Sequence, residues 1–134
     1  MNLEKPEPTV LIVDDDESTR FFLRIAFEAQ NFIVAEANSG PAGIQSFEKT
    51  SPSVIVVDYT MPGMDGIQCC EKIRALEHGQ RIPIIMLSGN ADPHLFERAR
   101  HAGVDRFVIK PADWIRFAEE MRILVDAKST DTES

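Results

Sequence analysis

Val54-Ile55-Val56-Val57 is an unbroken β-branched run that ends on a carboxylate, Asp58. Branched apolar residues with no polar alternation read as a strand buried on both faces. A strand covered on both faces needs helices above and below it, which restricts the chain to a parallel α/β sheet. Such a strand stops where the sheet stops, so Asp58 is expected at its C-terminal lip. In open α/β sheets that lip is where ligands bind. Tyr59-Thr60-Met61-Pro62-Gly63-Met64-Asp65-Gly66 follows, a Pro-Gly turn with a second acidic residue.

The same arrangement recurs along the chain. Thr9-Val10-Leu11-Ile12-Val13 runs into Asp14, Asp15 and Asp16. Asp16 suits the N-cap of a helix, where acidic residues complement the dipole. Phe22, Ala26 and Ala29, with Leu23 and Phe27, recur at helical spacing and form its expected buried face. Arg20, Arg24 and Glu28 lie off that stripe. Asn31 closes the helix, and Phe32-Ile33-Val34-Ala35 gives a short strand that passes into Glu36. Asn38 or Ser39 can cap a second helix with Pro41 in its first turn; Ala42, Ile44 and Phe47 give it an apolar side. Thr50-Ser51-Pro52-Ser53 turns into the strand that carries Asp58.

Asp65 can cap a third helix with Ile67, Cys69, Cys70, Ile73 and Leu76 inward and Gly79 at its end. Pro83-Ile84-Ile85-Met86-Leu87 is a fourth strand, ending at Ser88-Gly89-Asn90. A fourth helix from Asp92-Pro93 to His101 stops at Gly103; its apolar face is thin, with Leu95, Phe96 and Ala99. Arg106-Phe107-Val108-Ile109 is a fifth strand, ending at Lys110-Pro111. The last helix carries Trp114, Ile115, Ala118, Met121, Ile123, Leu124 and Val125. Residues 1–8 read as a disordered lead-in, 9–126 as one domain and 127–134 as a polar, frayed tail.

A βα unit repeated in this way leaves no room for hairpins. Parallel strands need crossovers, and right-handed crossovers place helices on both faces. The expected fold is an α/β doubly wound five-stranded parallel sheet, with five helices on both faces. The second strand is the shortest and the best candidate for an edge, so the order 2-1-3-4-5 follows most simply.

That order brings four strand ends to one crevice: Asp14 and Asp15, Asp58, Ser88, and Lys110. Taken singly, each has an ordinary explanation as a cap, a loop start or a solvated turn residue. Taken together they have a chemistry. Three crowded carboxylates repel and raise each other's pKa, and a hard divalent cation such as Mg²⁺ relieves them. Lys110 adds a positive charge for Asp58 or for a bound phosphoryl group, and Ser88 a hydroxyl. These are the parts of a phosphoryl-transfer site with a carboxylate nucleophile.

Charge narrows the partners. The formal net charge is −8 over 134 residues. That argues against direct nucleic-acid binding, which needs a basic face, and against an anionic membrane surface. No apolar run reaches the roughly 18 residues of a membrane span, and the polar start, with Pro6 and Pro8, does not resemble a signal peptide. The expected location is the cytoplasm. Cys69 and Cys70 are adjacent, poorly placed to bridge each other, and make no zinc spacing with His78. They read as two reduced cysteines facing different ways on one helix.

Over roughly residues 8 to 126 the sequence resembles the receiver domain of two-component response regulators, and among them the stand-alone, chemotaxis-regulator-like receivers. The resemblance rests on the acidic pair after the first strand, Asp-x-x-Met-Pro-x-Met-Asp-Gly from Asp58, Ser88 after the fourth strand, and Lys110-Pro111 after the fifth. It implies the same flavodoxin-like sheet order. It implies that Asp58 is the phosphoacceptor for a sensor histidine kinase or histidine phosphotransferase. Mg²⁺ would be held by Asp15, Asp58 and the Thr60 backbone carbonyl, with Asp14 acting through water. Ser88 would be the switch hydroxyl, Lys110 the lysine on the phosphoryl oxygens and Phe107 the switch aromatic. Phe107, read alone, is an ordinary core ring, and it lacks a tyrosine's hydroxyl. The Lys110-Pro111 bond is cis in relatives, although Pro111 equally fits a trans proline opening the last helix. Thr60 and Asn90 occupy positions that tune phosphoryl lifetime in the family. Asp16 adds a negative charge to the usual pair. No basic recognition helix is present: if the chain is complete, output is expected through protein–protein contact, on the face of the fourth helix, fifth strand and last helix, and if it is part of a longer regulator, Lys128–Ser134 is the start of a linker to an effector.

Two other functions fit parts of the chain. Asp14-Asp15-Asp16-Glu17-Ser18 after a strand is similar to the nucleophile motif of haloacid-dehalogenase-type phosphatases, with Asp14 as nucleophile. That family needs another acidic pair beyond the lysine, and it leaves Asp58 without a role. A flavin module would need a first loop that cradles phosphate, and three aspartates there repel one.

Overall fold

The computed structural model describes residues 6–110 and 113–133, with side chains through residue 128. The Lys110-Pro111 bond and most of the lead-in, residues 1–5, lie outside the described residues. Five strands, β1 (Thr9–Val13), β2 (Ile33–Ala37), β3 (Val54–Asp58), β4 (Ile84–Ser88) and β5 (Arg106–Ile109), alternate with five helices. The helices are α1 (Glu17–Glu28), α2 (Gly40–Thr50), α3 (Gly66–Ala75), α4 (Pro93–Ala102) and α5 (Trp114–Glu133). All strand pairs are parallel, in the order β2-β1-β3-β4-β5. This is the doubly wound sheet that the strand pattern predicts, with the crossover direction reversing between β1 and β3.

Alternation along each strand builds two cores. Leu11, Val13, Ile55, Val57, Ile84 and Met86 face one side, where α2, α3 and α4 pack. Val10, Ile12, Val54, Val56, Ile85 and Leu87 face the other, against Leu23, Phe27, Phe117 and Met121 of α1 and α5. Every residue of β3 and β4 is buried, as expected for central strands of a covered sheet.

The caps follow the sequence. Asp16 accepts from the Thr19 N–H, and Ser39, rather than Asn38, accepts from the Ala42 N–H. Asp65 and Gln68 form a reciprocal capping box at 2.9 and 3.0 Å, satisfying two otherwise unpaired donors of α3. Ser51 (φ 47°) and Gly103 (φ 102°) cap the ends of α2 and α4 in the left-handed region, and Asn31 (φ 63°) turns the chain from α1 toward β2.

Several details differ from the sequence reading. Phe22 is 56% exposed and Ala29 is exposed; the buried face of α1 is Leu23, Ala26 and Phe27 alone. The sheet covers a narrower arc of the helix than its apolar residues span. On α5, Ile115 and Ile123 likewise face solvent, at 66% and 70%. β2 runs on through Glu36, paired to Ile12 of β1, and β5, at four residues, is the shortest strand. α3 ends at Ala75, and Gly79 closes a separate 3-10 turn, Glu77–Gly79. The Arg74 guanidinium holds that segment by donating to the Gly79, Ile82 and Gly103 carbonyls and to Asp105. α5 continues to Glu133 through the polar stretch that begins at 127.

Candidate functional site

Four strand ends meet at the C-terminal lip. Asp58 is the last residue of β3, 6% exposed. Asp14 follows β1 directly and is 1% exposed, while its neighbour Asp15 is exposed. Carboxylate oxygens of Asp14, Asp15 and Asp58 all lie within 4.8 Å of one another. Lys110 follows β5, and its backbone N–H donates to the Ser88 carbonyl at 2.7 Å. Its ammonium lies 2.9 Å from Asp58 Oδ1 and 3.1 Å from Asp14 Oδ2.

Asp14 is held at every polar atom. Its N–H donates to the Ala37 carbonyl at 3.0 Å. Oδ1 accepts from the Asp16 N–H at 2.9 Å and Oδ2 from Lys110. Its carbonyl accepts from Arg20 Nη1 at 2.7 Å. The Arg20 Nε in turn donates to Glu36 at 3.1 Å, and Arg24 donates to the other Glu36 oxygen at 2.7 Å. Arg20 and Glu36 were not among the site residues expected from sequence. Arg20 borders the buried stripe of α1 and Glu36 follows a short apolar run, so neither carries a local motif.

Electrostatics follows from this packing. Burial pushes the Asp58 carboxyl up from 3.8 to about 6; Asp14 and Asp15 add repulsion, and Lys110 opposes both. Burial pulls the Lys110 ammonium down, but its bonds to Asp58 and Asp14 outweigh that and the net shift is upward. One ammonium against three carboxylates leaves the lip with excess negative charge. Hard oxygen donors in that number suit a small divalent cation such as Mg²⁺.

Of the remaining expected residues, Ser88 and Phe107 are engaged with neighbours of their own. Ser88 is buried at the end of β4, and its hydroxyl accepts from the Asn90 N–H at 3.0 Å and donates to the Asn90 carbonyl at 3.3 Å. Phe107 in β5 packs edge-to-face on Phe96 of α4, centroids 4.4 Å apart. Thr60 is exposed in the β3–α3 loop. That loop is closed by the Gly66 N–H donating to the Tyr59 carbonyl at 2.8 Å. Gly66 is buried, and a Cβ there would overlap the Asp58 carbonyl oxygen, so a glycine lets α3 start directly behind Asp58. Cys69 and Cys70 diverge, one thiol toward the Gly40 carbonyl and the other toward that of Ala102.

Comparison with known proteins agrees with this geometry. Residues 10–122 match the family model described as the response regulator receiver domain. The chain is 36% identical over 104 residues to the transcriptional regulatory protein CseB of Streptomyces coelicolor, covering 78% of this chain and 43% of that protein. It is 33% identical over 108 residues to the CAI-1 autoinducer sensor kinase/phosphatase CqsS of Vibrio cholerae, covering 80% of this chain and 16% of that protein. The chain thus spans less than half the length of either relative. A putative response regulator from Chloroflexus aurantiacus superposes with a TM-score of 0.82 at 26% identity, covering 90% of this chain and 98% of that one. The haloacid-dehalogenase reading finds no support in these matches, and both Asp14 oxygens are already engaged. With the matched segment running from β1 into α5 and every strand end of the acidic lip inside it, the chain belongs to the response-regulator receiver domains of two-component signalling.

Proposed function

We propose that Asp58 accepts a phosphoryl group from a phosphohistidine and that the domain passes this on as a change of shape. The observation that supports this most directly is the convergence of Asp14, Asp15 and Asp58 around the Lys110 ammonium. An Asp58 oxygen attacks phosphorus, the O–P bond forms, and the P–N bond breaks with its electron pair leaving on the imidazole nitrogen. Lys110, 2.9 Å from Asp58 Oδ1, meets the phosphoryl oxygens as they arrive. When bound, Mg²⁺ supplies charge neutralisation to the carboxylates and to the transferring group. Asp15, Asp58 and the Thr60 carbonyl would hold it directly, and Asp14 through water.

A phosphoryl group on Asp58 offers the Ser88 hydroxyl an anionic acceptor stronger than the Asn90 carbonyl. A hydroxyl that turns toward it frees space beside Phe107, whose movement against Phe96 carries the change to the α4–β5–α5 surface. The donor is a sensor histidine kinase or a histidine phosphotransferase, the output is protein–protein contact, and the setting is the cytoplasm.

The test is treatment with an acyl-phosphate donor and Mg²⁺, followed by intact-mass measurement. The native chain should gain one hydroxylamine-sensitive phosphoryl adduct, and Asp58→Asn none. Adduct at full yield in Asp58→Asn would overturn the assignment, and mapping it to Asp14 would restore the phosphatase reading.

A further inference from the structure

We infer that Arg20 is a positioning residue for the acidic lip: its guanidinium, aimed by Glu36, fixes the Asp14–Asp15 peptide so that Asp15 presents its carboxylate to the cluster. This rests on the proposed reading of that cluster as a Mg²⁺ site.

The Asp14 carbonyl belongs to the peptide that joins Asp14 to Asp15. Because that unit is planar, holding its oxygen sets the direction in which Asp15 leaves the strand. Arg20 Nη1 holds the oxygen at 2.7 Å. The side chain is 16% exposed and is anchored through Nε on Glu36, itself 24% exposed. A planar fork that spends one N–H on an anchor has little freedom left for the other. Arg24 takes the second Glu36 oxygen at 2.7 Å and steadies the anchor. Strand β2 therefore grips Asp14 twice with consecutive residues: Ala37 receives its N–H directly, and Glu36 reaches its carbonyl through Arg20. Among the described residues the Asp15 carboxylate is exposed and accepts no hydrogen bond, so its aim depends on its backbone.

Charge alone argues against a guanidinium beside a cation site, since like charges repel. The two explanations therefore predict opposite signs. If Arg20 acts only through its field, removing it tightens Mg²⁺ binding. If it positions the peptide, disturbing its geometry at constant charge weakens binding.

Arg20→Lys and Glu36→Asp keep every formal charge and spoil the geometry from opposite ends. Titration calorimetry with Mg²⁺ should give a Kd about three- to tenfold weaker for each, at or below the roughly tenfold lower bound for outer-shell changes at metal sites, because both substitutions are conservative. Circular dichroism in chelator checks that each variant is folded, and should Arg20→Lys fail to fold, Glu36→Asp decides by the same measure. Native affinity in the folded charge-conserving variants overturns the inference, as does tighter binding in Arg20→Met. A native chain that binds no Mg²⁺ overturns the reading of the cluster and this inference with it, whereas binding by the native chain with no loss in the variants overturns the inference alone.

Discussion

The Lys110 ammonium bridges Asp58 and Asp14, at 2.9 and 3.1 Å, and so joins the end of β5 to the ends of two strands on the far side of β4. Among the described residues it is the internal counter-ion of a lip with more negative charge than one lysine offsets, and the shortfall has measurable consequences.

The first concerns pH. Asp58 titrates near 6 in the folded chain, chiefly because it is buried, against 3.8 unperturbed. Between those values the folded state holds a proton that the unfolded state releases. The resulting stability is fully present below the unfolded value and is lost as pH rises through about 6. The melting temperature of the metal-free native chain should therefore fall, relative to Asp58→Asn, between about pH 4 and pH 7. A flat difference across that window would contradict a buried, metal-free Asp58. Saturating Mg²⁺ should reverse the slope, because the cation competes with the proton.

Asp15→Asn removes one of the three mutually repelling charges while leaving the buried pair and Lys110 in place. In chelator its melting temperature should rise, by about one to three degrees, and Mg²⁺ affinity should fall by about tenfold or more. Calorimetry and thermal melts on the same samples read both. A lower melting temperature in chelator would count against the clustered geometry.

Gly66→Ala places a methyl against the Asp58 carbonyl oxygen, which is backbone and has little room to move. The urea midpoint should drop by the equivalent of about 2 kcal/mol, typical of an overpacked site. The phosphoryl yield should drop with it, since the displaced atom belongs to Asp58, the proposed phosphoacceptor. An unchanged midpoint would show that the β3–α3 loop relaxes freely.

Burial raises the thiols of Cys69 and Cys70 to about 12 and 11. Neither should react with an aromatic disulfide reagent in the native chain near neutral pH, because the thiolate is the reactive form. Both should react once the chain is unfolded. Fast labelling of the native protein would mean that α3 opens locally.

What was legible in the sequence is what a single strand can carry. A buried parallel strand is a continuous apolar run, and a polar residue at its end reports the lip; Asp14, Asp58, Ser88 and Lys110 were each visible this way. Caps were visible for the same reason, since Asp16, Ser39 and Asp65 act within three residues of themselves. Phe22 and Ile115 were not resolved, because helical spacing marks an apolar arc without saying how much of it a neighbour covers. Arg20 and Glu36 were invisible as a pair: their contact depends on β2 lying beside β1 and on a side chain folding back to a carbonyl. Ser88 was legible as the end of the fourth strand, but the engagement of its hydroxyl with Asn90 is a rotamer, which no pattern encodes.

The bond from Lys110 to Asp14 spans 96 positions of chain. During synthesis Asp58, both of its acidic neighbours and the whole turn after it exist before the lysine does. Until β5 is made and docks on β4, Asp14 and Asp58 lack the ammonium that bridges them among the described residues. The charge balance of the lip thus arrives with β5, and a truncated or half-folded chain holds Asp58 beside Asp14 and Asp15 without the ammonium that offsets them.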